Sequence, residues 1–186
     1  MTQIKNDTKE KVMDKAKKLF AKKGYEATSM SEVAKAADIE KSSLYYFFDS
    51  KEKLFVEILE SIWNNLLKDV EELSKKRDEF KSNREHFAAI LEHFINNSLE
   101  GGVILGSSDD LCIHKPSVFK NVFKHITQSR KILNEGLKEY GVEQVEIAEE
   151  LIINACHAYI MHKQYCKNGA SVKKYSNYIS SILIKN

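Results

Sequence analysis

The chain has 186 residues, and its 42% apolar and 30% charged residues are typical of a globular protein and not of a disordered one. One proline and seven glycines are too few for the many tight turns of an all-β fold, so the composition predicts long helices and an all-α protein. The net charge of +2 is uneven: residues 1–53 carry twelve lysines against nine acidic residues, a balance that suits either a nucleic-acid-binding face or solvated helices.

The first predicted helix runs from about Asp7 to Lys23. Apolar residues recur in it at helical spacing, at Val12, Ala16 and Phe20, on a lysine-rich background. Gly24 follows its last turn, at the position where a residue with positive φ commonly ends a helix. The segment is therefore predicted to be an amphipathic helix that ends at a glycine.

The next two helices are short. Ser29 and Glu32 have the spacing of a capping box, which predicts a second helix that continues to Ala37. A third short helix carries Leu44-Tyr45-Tyr46-Phe47-Phe48, and Ser50 is placed to cap a long fourth helix. Two short helices joined by about four residues predict a helix-turn-helix, with the third helix as its recognition helix.

The aromatic run of the third helix cannot all face inward, because successive residues of a helix point about 100° apart. Leu44 and Phe48 are predicted to face the core, and Tyr45 and Tyr46 to face solvent. A crowded core with two surface hydroxyls would explain these tyrosines equally well. The side chains that flank the run favour phosphate binding, since lysine and serine are common phosphate donors; they are Lys41, Ser42, Ser43 and Lys51.

Four sequence segments within the stretch from Ala16 to Leu54 carry a family resemblance. They are Ala16-Lys17-Lys18-Leu19-Phe20, Lys23-Gly24-Tyr25-Glu26-Ala27-Thr28-Ser29-Met30, Val33-Ala34 and Ile39-Glu40-Lys41-Ser42-Ser43-Leu44-Tyr45-Tyr46-Phe47-Phe48-Asp49-Ser50-Lys51-Glu52-Lys53-Leu54. The stretch resembles, without a gap, the N-terminal domain of TetR-family transcriptional repressors. The resemblance implies an all-α homodimer with a helix-turn-helix at each tip and a ligand-binding C-terminal domain. By position it implies DNA contacts from Thr28 or Ser29, Lys41, Ser42, Tyr45, Tyr46 and Lys51, and with Ser43 these are the predicted DNA-binding residues.

Three residues depart from the family pattern. Asp38 stands where glycine is common in the turn, although aspartate tolerates the left-handed region better than most residues. Glu40 replaces the usual serine cap of the recognition helix, which weakens the cap and brings a carboxylate near DNA, where it repels phosphate or accepts from a cytosine amine. Phe47 replaces a common histidine or tyrosine. The departures bear on DNA affinity and operator sequence, and not on the motif.

The remaining chain is predicted to be helical, which gives about nine helices in all. The expected further helices are Lys51 to about Arg77, about Ser82 to Leu99 with a break at Gly101-Gly102, one opening at Val103, one from Pro116, about Val142 to Cys166, and one from Val172. Residues 1–50 are predicted to be the DNA-binding domain and residues 51–186 the ligand-binding and dimerisation domain.

Two functions are expected of this larger domain. The eighth helix is apolar on nearly all sides between Leu151 and Met161, as in a central core helix or in one that also faces its twofold mate. By resemblance, the last two helices form the interface of a homodimer. An effector is expected among four aromatic residues that would serve equally well as plain core, namely Trp63, Phe87, Phe94 and Phe123.

Metal, redox and catalytic chemistry are not predicted. His86 and His93, or His162 and Cys166, share a helix face, but neither pair has a third ligand nearby in sequence. Three cysteines without CxxC spacing suggest reduced thiols. The nearest nucleophile and base candidates match no hydrolase arrangement; they are Ser107, Ser108, Asp110 and His114. We therefore expect no enzyme activity and no cofactor.

The sequence as a whole predicts a homodimeric repressor that binds an inverted-repeat operator in double-stranded DNA. A small lipophilic or aromatic ligand would release it by favouring a spacing of the two heads that the operator does not fit. The alternative is a DNA-bound adaptor of the same fold whose effector is a protein partner. Residues 1–10 lack the apolar segment of a secretory signal, and no segment is long enough to span a membrane, so a cytoplasmic protein is expected.

Overall fold

A computed structural model describes residues 2–165 and 168–185, and within them all side chains except those of 2–6, 99–114, 119, 122, 126, 161, 164 and 165. Every regular element in these ranges is helical, as the sequence predicts. The elements are α1 Thr2–Lys23, α2 Met30–Ala37, α3 Lys41–Phe47, α4 Lys51–Ser74, a 3₁₀ helix Arg77–Glu79, α5 Asn83–His114, α6 Pro116–Glu139, α7 Val145–Tyr165 and α8 Val172–Leu183.

The described residues form eight α-helices, where the sequence analysis expected about nine. The predicted break at Gly101-Gly102 is wrong, because α5 continues through both glycines to His114. Glycine inside a helix costs about 1 kcal/mol relative to alanine, which weakens a helix without ending it. The prediction that a helix starts at Pro116 is confirmed, since α6 begins there.

A second correction concerns the start of the helix predicted from Val142. The Val142 amide donates to the Leu137 carbonyl and the Gly141 amide to the Lys138 carbonyl, at 3.1 and 3.0 Å. With Gly141 at φ 76°, these bonds terminate α6, and α7 begins only at Val145. Cys166, the predicted end of this helix, lies outside the described residues.

The chain divides into two compact units, Met1–Ile62 with Val103–Val122, and Trp63–Gly102 with Phe123–Asn186. The first unit is built around one core in which aromatic rings meet. Phe20 and Phe55 pack edge to face with ring centroids 5.2 Å apart, and Leu44 is fully buried in the same core. The first turn of α6 belongs to this core through the fully buried Val118. The functional division into residues 1–50 and 51–186 stays a prediction.

The second unit has its own core, in which α7 and α8 cover the first half of α5. Buried members include Phe87, Leu91, Ile95, Leu137, Ile152 and Ile184. The end of α8 is also held by polar contacts, since the Arg84 guanidinium donates to the Ile184 carbonyl at 3.1 and 3.2 Å. In the described part of the chain, none of the helices has the length and apolar character needed to cross a bilayer.

Candidate nucleic-acid interface

The start of α2 is fixed by the predicted capping box, which the structure confirms. The Glu32 amide donates to Ser29 Oγ at 3.2 Å, and the Ser29 amide donates to Glu32 Oε2 at 2.9 Å. The Lys23 ammonium also pairs with the Glu32 carboxylate. The hydrogen bond from Lys23, followed by those from Ser29, lowers the pKa of Glu32 from 4.5 to about 2. Ser29 thus sits at an ordered, exposed helix start.

Thr28 and Ser29, the two alternatives for a DNA contact at this helix start, differ in exposure. Thr28 is 1% exposed, and its hydroxyl donates to the Gly24 carbonyl at 2.8 Å. That bond closes the turn that follows α1, where Gly24 has the positive φ of 81° that the sequence predicts. In this conformation the Thr28 side chain is occupied within the turn, which leaves Ser29 as the exposed member of the pair.

The turn between α2 and α3 is made by Asp38. It adopts the left-handed conformation, with φ 56° and ψ 51°, and its amide bonds back to α2. Aspartate therefore serves in place of the family's glycine, as expected. At the next helix start, Glu40 makes no capping hydrogen bond with its side chain, which agrees with the weak cap predicted there.

Helix α3 has one buried and one exposed face. Leu44 and the C-cap residue Phe48 are fully buried, whereas Tyr45 is 42% and Tyr46 68% exposed. The prediction that both tyrosines leave the core is therefore confirmed. The flanking residues Lys41, Ser42 and Ser43 are exposed as well. The Lys41 ammonium lies 5.9 Å from the centre of the Tyr45 ring, so charge and aromatic surface adjoin on this face.

Lys51 occupies a different environment from the other predicted DNA-binding residues. Its ammonium donates to the Tyr25 carbonyl at 2.9 Å and to the Glu26 carbonyl at 3.3 Å, and it lies 4.2 Å from the centre of the Tyr25 ring. Burial, and secondarily the nearby carboxylates of Glu52 and Glu26, raise the pKa of Tyr25 to about 12. Sequence reasoning missed this contact, because no local pattern joins residues 26 positions apart.

The four aromatic residues of the predicted effector site all belong to the second unit, in different settings. Phe87 is buried against Tyr140, with ring centroids 5.4 Å apart, and Phe94 packs against the same core. Trp63 is buried and stacks on His125, with nearly parallel rings whose centroids are 6.0 Å apart. Phe123 is mostly exposed. Phe87 and Phe94 therefore belong to the core cluster of the second unit, whereas Trp63 is buried outside that cluster and Phe123 is exposed.

His86 and His93 contact different residues, Leu73 and Tyr140 in the case of His86 and Asp69 in the case of His93. His86 Nε2 lies 2.9 Å from the Leu73 carbonyl oxygen, which can only accept, so this nitrogen carries the proton. His86 Nδ1 then accepts from the Tyr140 hydroxyl, 2.7 Å away. Among the described residues there is no group of three or more histidine, cysteine or acidic side chains suited to a metal ion. His86 is a buried link between α5 and the helix ends beside it.

The cysteine and catalytic candidates add no reactive site to the described residues. Cys156 is buried, and burial raises the pKa of its thiol to about 12, so it is held as an unreactive thiol. The remaining side chains in question lie outside the described set; they are Cys112, Cys166, Ser107, Ser108, Asp110 and His114.

Comparison with known proteins places the similarity in the first unit. Residues 12–58 match the family described as bacterial regulatory proteins, tetR family. The biofilm operon icaADBC HTH-type negative transcriptional regulator IcaR of Staphylococcus epidermidis is 39% identical over 56 residues, which are 30% of each chain. IcaR of Staphylococcus aureus strain Newman is 47% identical over 47 residues, 25% of each chain. The matched segment thus spans less than a third of these relatives.

Solved structures share the whole fold at low sequence identity. A TetR-family transcriptional regulator from Mesorhizobium loti superposes with a TM-score of 0.79 at 16% identity, covering 96% of this chain and 95% of that one. A transcriptional regulator from Saccharomonospora viridis, solved in complex with choline, has a TM-score of 0.77 at 12% identity, covering 97% and 100%. At these identities the likeness is one of fold.

Proposed function

We propose that the chain is a transcriptional repressor of the TetR family that binds double-stranded DNA through α3, because residues 12–58 match the family of bacterial regulatory proteins, tetR family. The observation that carries the proposal is the exposed face of α3, where lysine, serine and tyrosine side chains stand on a helix anchored by the buried Leu44. The family is one of regulators and not of enzymes. The protein would act in the cytoplasm, where its DNA is.

The exposed side chains divide by the kind of contact they can make with DNA. Ser29, Lys41 and Ser42 are donors suited to phosphate oxygens, which position a protein on the duplex without reading its sequence. Further along α3 lie Ser43, Tyr45 and Tyr46. Their hydroxyl or apolar groups are suited to base edges or phosphates in the major groove. We assign DNA contacts to these six side chains, which are six of the eight that the sequence predicts.

Homodimer formation through α7 and α8 is supported by the apolar side chains that these helices expose. Ile147 and Leu151 are four residues apart on α7, and Tyr178 and Ile182 are four apart on α8, so each pair shares a helix face. More than half of each side chain is exposed in the single chain. A twofold mate would cover both pairs with the same surface, and the two heads would meet successive major grooves about 34–36 Å apart.

The effector of the repressor would be a small lipophilic or aromatic molecule bound at Trp63. No described residue provides a hydrogen-bond acceptor for the buried indole Nε1 of Trp63. A buried donor without an acceptor costs about 1–3 kcal/mol, so an effector that brings an oxygen acceptor would be stabilised there. Its effect on DNA binding equals the difference between its affinities for the two states of the dimer.

The DNA-binding proposal is tested by selecting bound fragments from a random duplex pool and measuring their affinity over a range of salt concentrations. We expect an enriched inverted repeat and a steep fall of affinity with salt. Lys41→Gln should flatten that dependence by about 0.9 for each phosphate that the lysine neutralises, while Lys131→Gln at an exposed position of α6 should leave it unchanged. A folded dimer that enriches no sequence would contradict the proposal.

The effector proposal can use Trp63 as its own reporter, because it is the single tryptophan of the chain. Aromatic carboxylic acids and medium-chain fatty acids would be titrated while indole fluorescence and operator affinity are followed together. The expected result is a change in fluorescence at the concentration that weakens operator binding. Compounds that change the fluorescence and leave DNA affinity unaltered would argue against a ligand-released repressor.

A further inference from the structure

A side-chain contact of Lys51 joins the two ends of the helix-turn-helix. The residue opens α4, three positions after the buried Phe48 that ends α3. Its ammonium reaches back 26 positions to the Tyr25 carbonyl, at 2.9 Å, in the turn just before α2. All of α2 and α3 lies between these two residues. We call this contact, made by Lys51 with the carbonyls of Tyr25 and Glu26, the Lys51 clasp.

The clasp occupies most of the hydrogen-bonding capacity of the Lys51 ammonium. Two of its three N–H groups have carbonyl acceptors, the Tyr25 ring centre lies 4.2 Å away, and the Glu26 carboxylate lies 3.8 Å away. The side chain of Lys51 is 25% exposed, compared with 52% for its neighbour Lys53. Cation–π and charge-assisted hydrogen bonds of this kind are stronger when they are partly shielded from water. Lys51 is therefore held in place more firmly than an ordinary surface lysine.

The turn that Lys51 holds determines where α2 begins. The Tyr25 ring is anchored in the core by Phe20 and Phe55, at centroid distances of 5.8 and 5.0 Å. The Tyr25 carbonyl that accepts from Lys51 also accepts from the Thr28 amide, at 3.2 Å. Ser29, the exposed cap of α2, is the next residue. A shift of this carbonyl would therefore move Ser29 and the first amides of α2.

We propose that Lys51 is a positioning residue for DNA binding, which fixes Ser29 and the start of α2 relative to the recognition helix α3, and that it is not itself a phosphate contact. The inference rests on the proposed function, and it revises the role that the sequence resemblance implies for Lys51. A positioning residue and a phosphate contact differ in how their removal changes the salt dependence, because only a residue that neutralises a phosphate alters the number of counterions released on binding.

The test compares Lys51→Met with Lys53→Met, which removes a neighbouring charge that pairs with the exposed Asp49. Affinity for the selected operator is measured across salt concentrations, well below the melting temperature of each variant. For Lys51→Met we expect an operator affinity lowered about tenfold, with a slope of log K against log salt that is unchanged. In a double-mutant cycle with Ser29→Ala, the two reductions in affinity should deviate from additivity by about twofold or more.

Amide hydrogen exchange in the free protein provides a readout that does not depend on DNA. The clasp predicts faster exchange from Thr28 to Glu32 in Lys51→Met than in Lys53→Met or the wild type. A salt slope reduced by about 0.9 for each protomer, with additive effects in the cycle, would overturn the proposal in favour of a phosphate contact. Unchanged exchange would overturn the clasp itself. If the wild type enriches no DNA while exchange responds as expected, the proposed function fails and the clasp stands.

Discussion

Two neighbouring residues of α7 are expected to separate the stability of the proposed dimer from that of the single chain. Leu151 is 57% exposed and Ile152 is 3% exposed, and Ile152 belongs to the core of the second unit. Leu151→Ala should therefore weaken association and leave the fold intact. Ile152→Ala should destabilise the fold of each chain. The two variants differ by one position in the same helix, so each serves as the control for the other.

The size of the first effect follows from the exposure of Leu151. Burying a complete leucine side chain contributes about 1.5–3 kcal/mol, and somewhat more than half of this surface is still exposed in the single chain. Its cover by a mate would contribute about 1 kcal/mol. A twofold dimer contains the contact twice, so Leu151→Ala should cost about 2 kcal/mol, a rise of about 30-fold in the dimer dissociation constant. For Ile152→Ala the cavity cost is about 2–5 kcal/mol per chain.

Sedimentation equilibrium over a range of protein concentrations measures the dissociation constant, and urea unfolding of the dissociated protein measures chain stability. Ile182→Ala on α8 should act like Leu151→Ala, because its side chain is 60% exposed on the other helix of the predicted interface. The reasoning is refuted if the wild type is monomeric at all concentrations. It is also refuted if Leu151→Ala lowers chain stability as much as Ile152→Ala while association is unchanged.

Three further predictions concern single groups. The pKa of Glu32 is lowered from 4.5 to about 2 in the folded state, so its contribution to stability is present above about pH 4.5 and is lost as the pH falls toward 2. Glu32→Gln should remove this contribution to the difference between urea midpoints measured at about pH 6 and pH 3. An equal difference in the variant and the wild type would contradict the prediction. Tyr140→Phe leaves the buried His86 Nδ1 without its donor and should lower the unfolding free energy by about 1–3 kcal/mol, whereas Tyr45→Phe, at an exposed position outside the proposed dimer face, should change it little. Burial raises the pKa of Cys156 to about 12, so peptide mapping after iodoacetamide treatment at neutral pH should find it alkylated only in unfolded protein.

The parts of the head that the sequence predicts well are those fixed by neighbouring residues. The Ser29 and Glu32 capping box, the left-handed Asp38 and the outward Tyr45 and Tyr46 each follow from spacing within one turn or one short helix. The role of Lys51 does not, because its acceptors are main-chain carbonyls 25 and 26 residues away, which no side-chain pattern reveals. Contacts to backbone carbonyls become visible only when the chain is folded.

The bounds of the longer helices are predicted less well, because a local helix-breaking signal does not decide where a long helix ends. Gly101-Gly102 predicted a break, but two glycines lower helix stability by an amount that a helix of 32 residues tolerates. The helix predicted from about Val142 begins only at Val145, because the Val142 amide completes the end of α6. The four aromatic residues of the predicted effector site share a residue type and not a setting, since Phe87 and Phe94 pack in the core and Trp63 stacks on a histidine.

Leu44 and Phe48 anchor α3 in the core, and the residues that stabilise the helix are therefore different from those on its exposed face. With no side-chain cap at Glu40, the helix depends on these two buried residues, and neither takes part in the exposed face. The outer positions are consequently free to mutate without loss of the scaffold. These outer positions are 41, 42, 43, 45 and 46. Gene duplication followed by mutation at these positions would give two paralogues that recognise different operators. A library randomised at the same positions is expected to yield folded proteins that bind new DNA sequences.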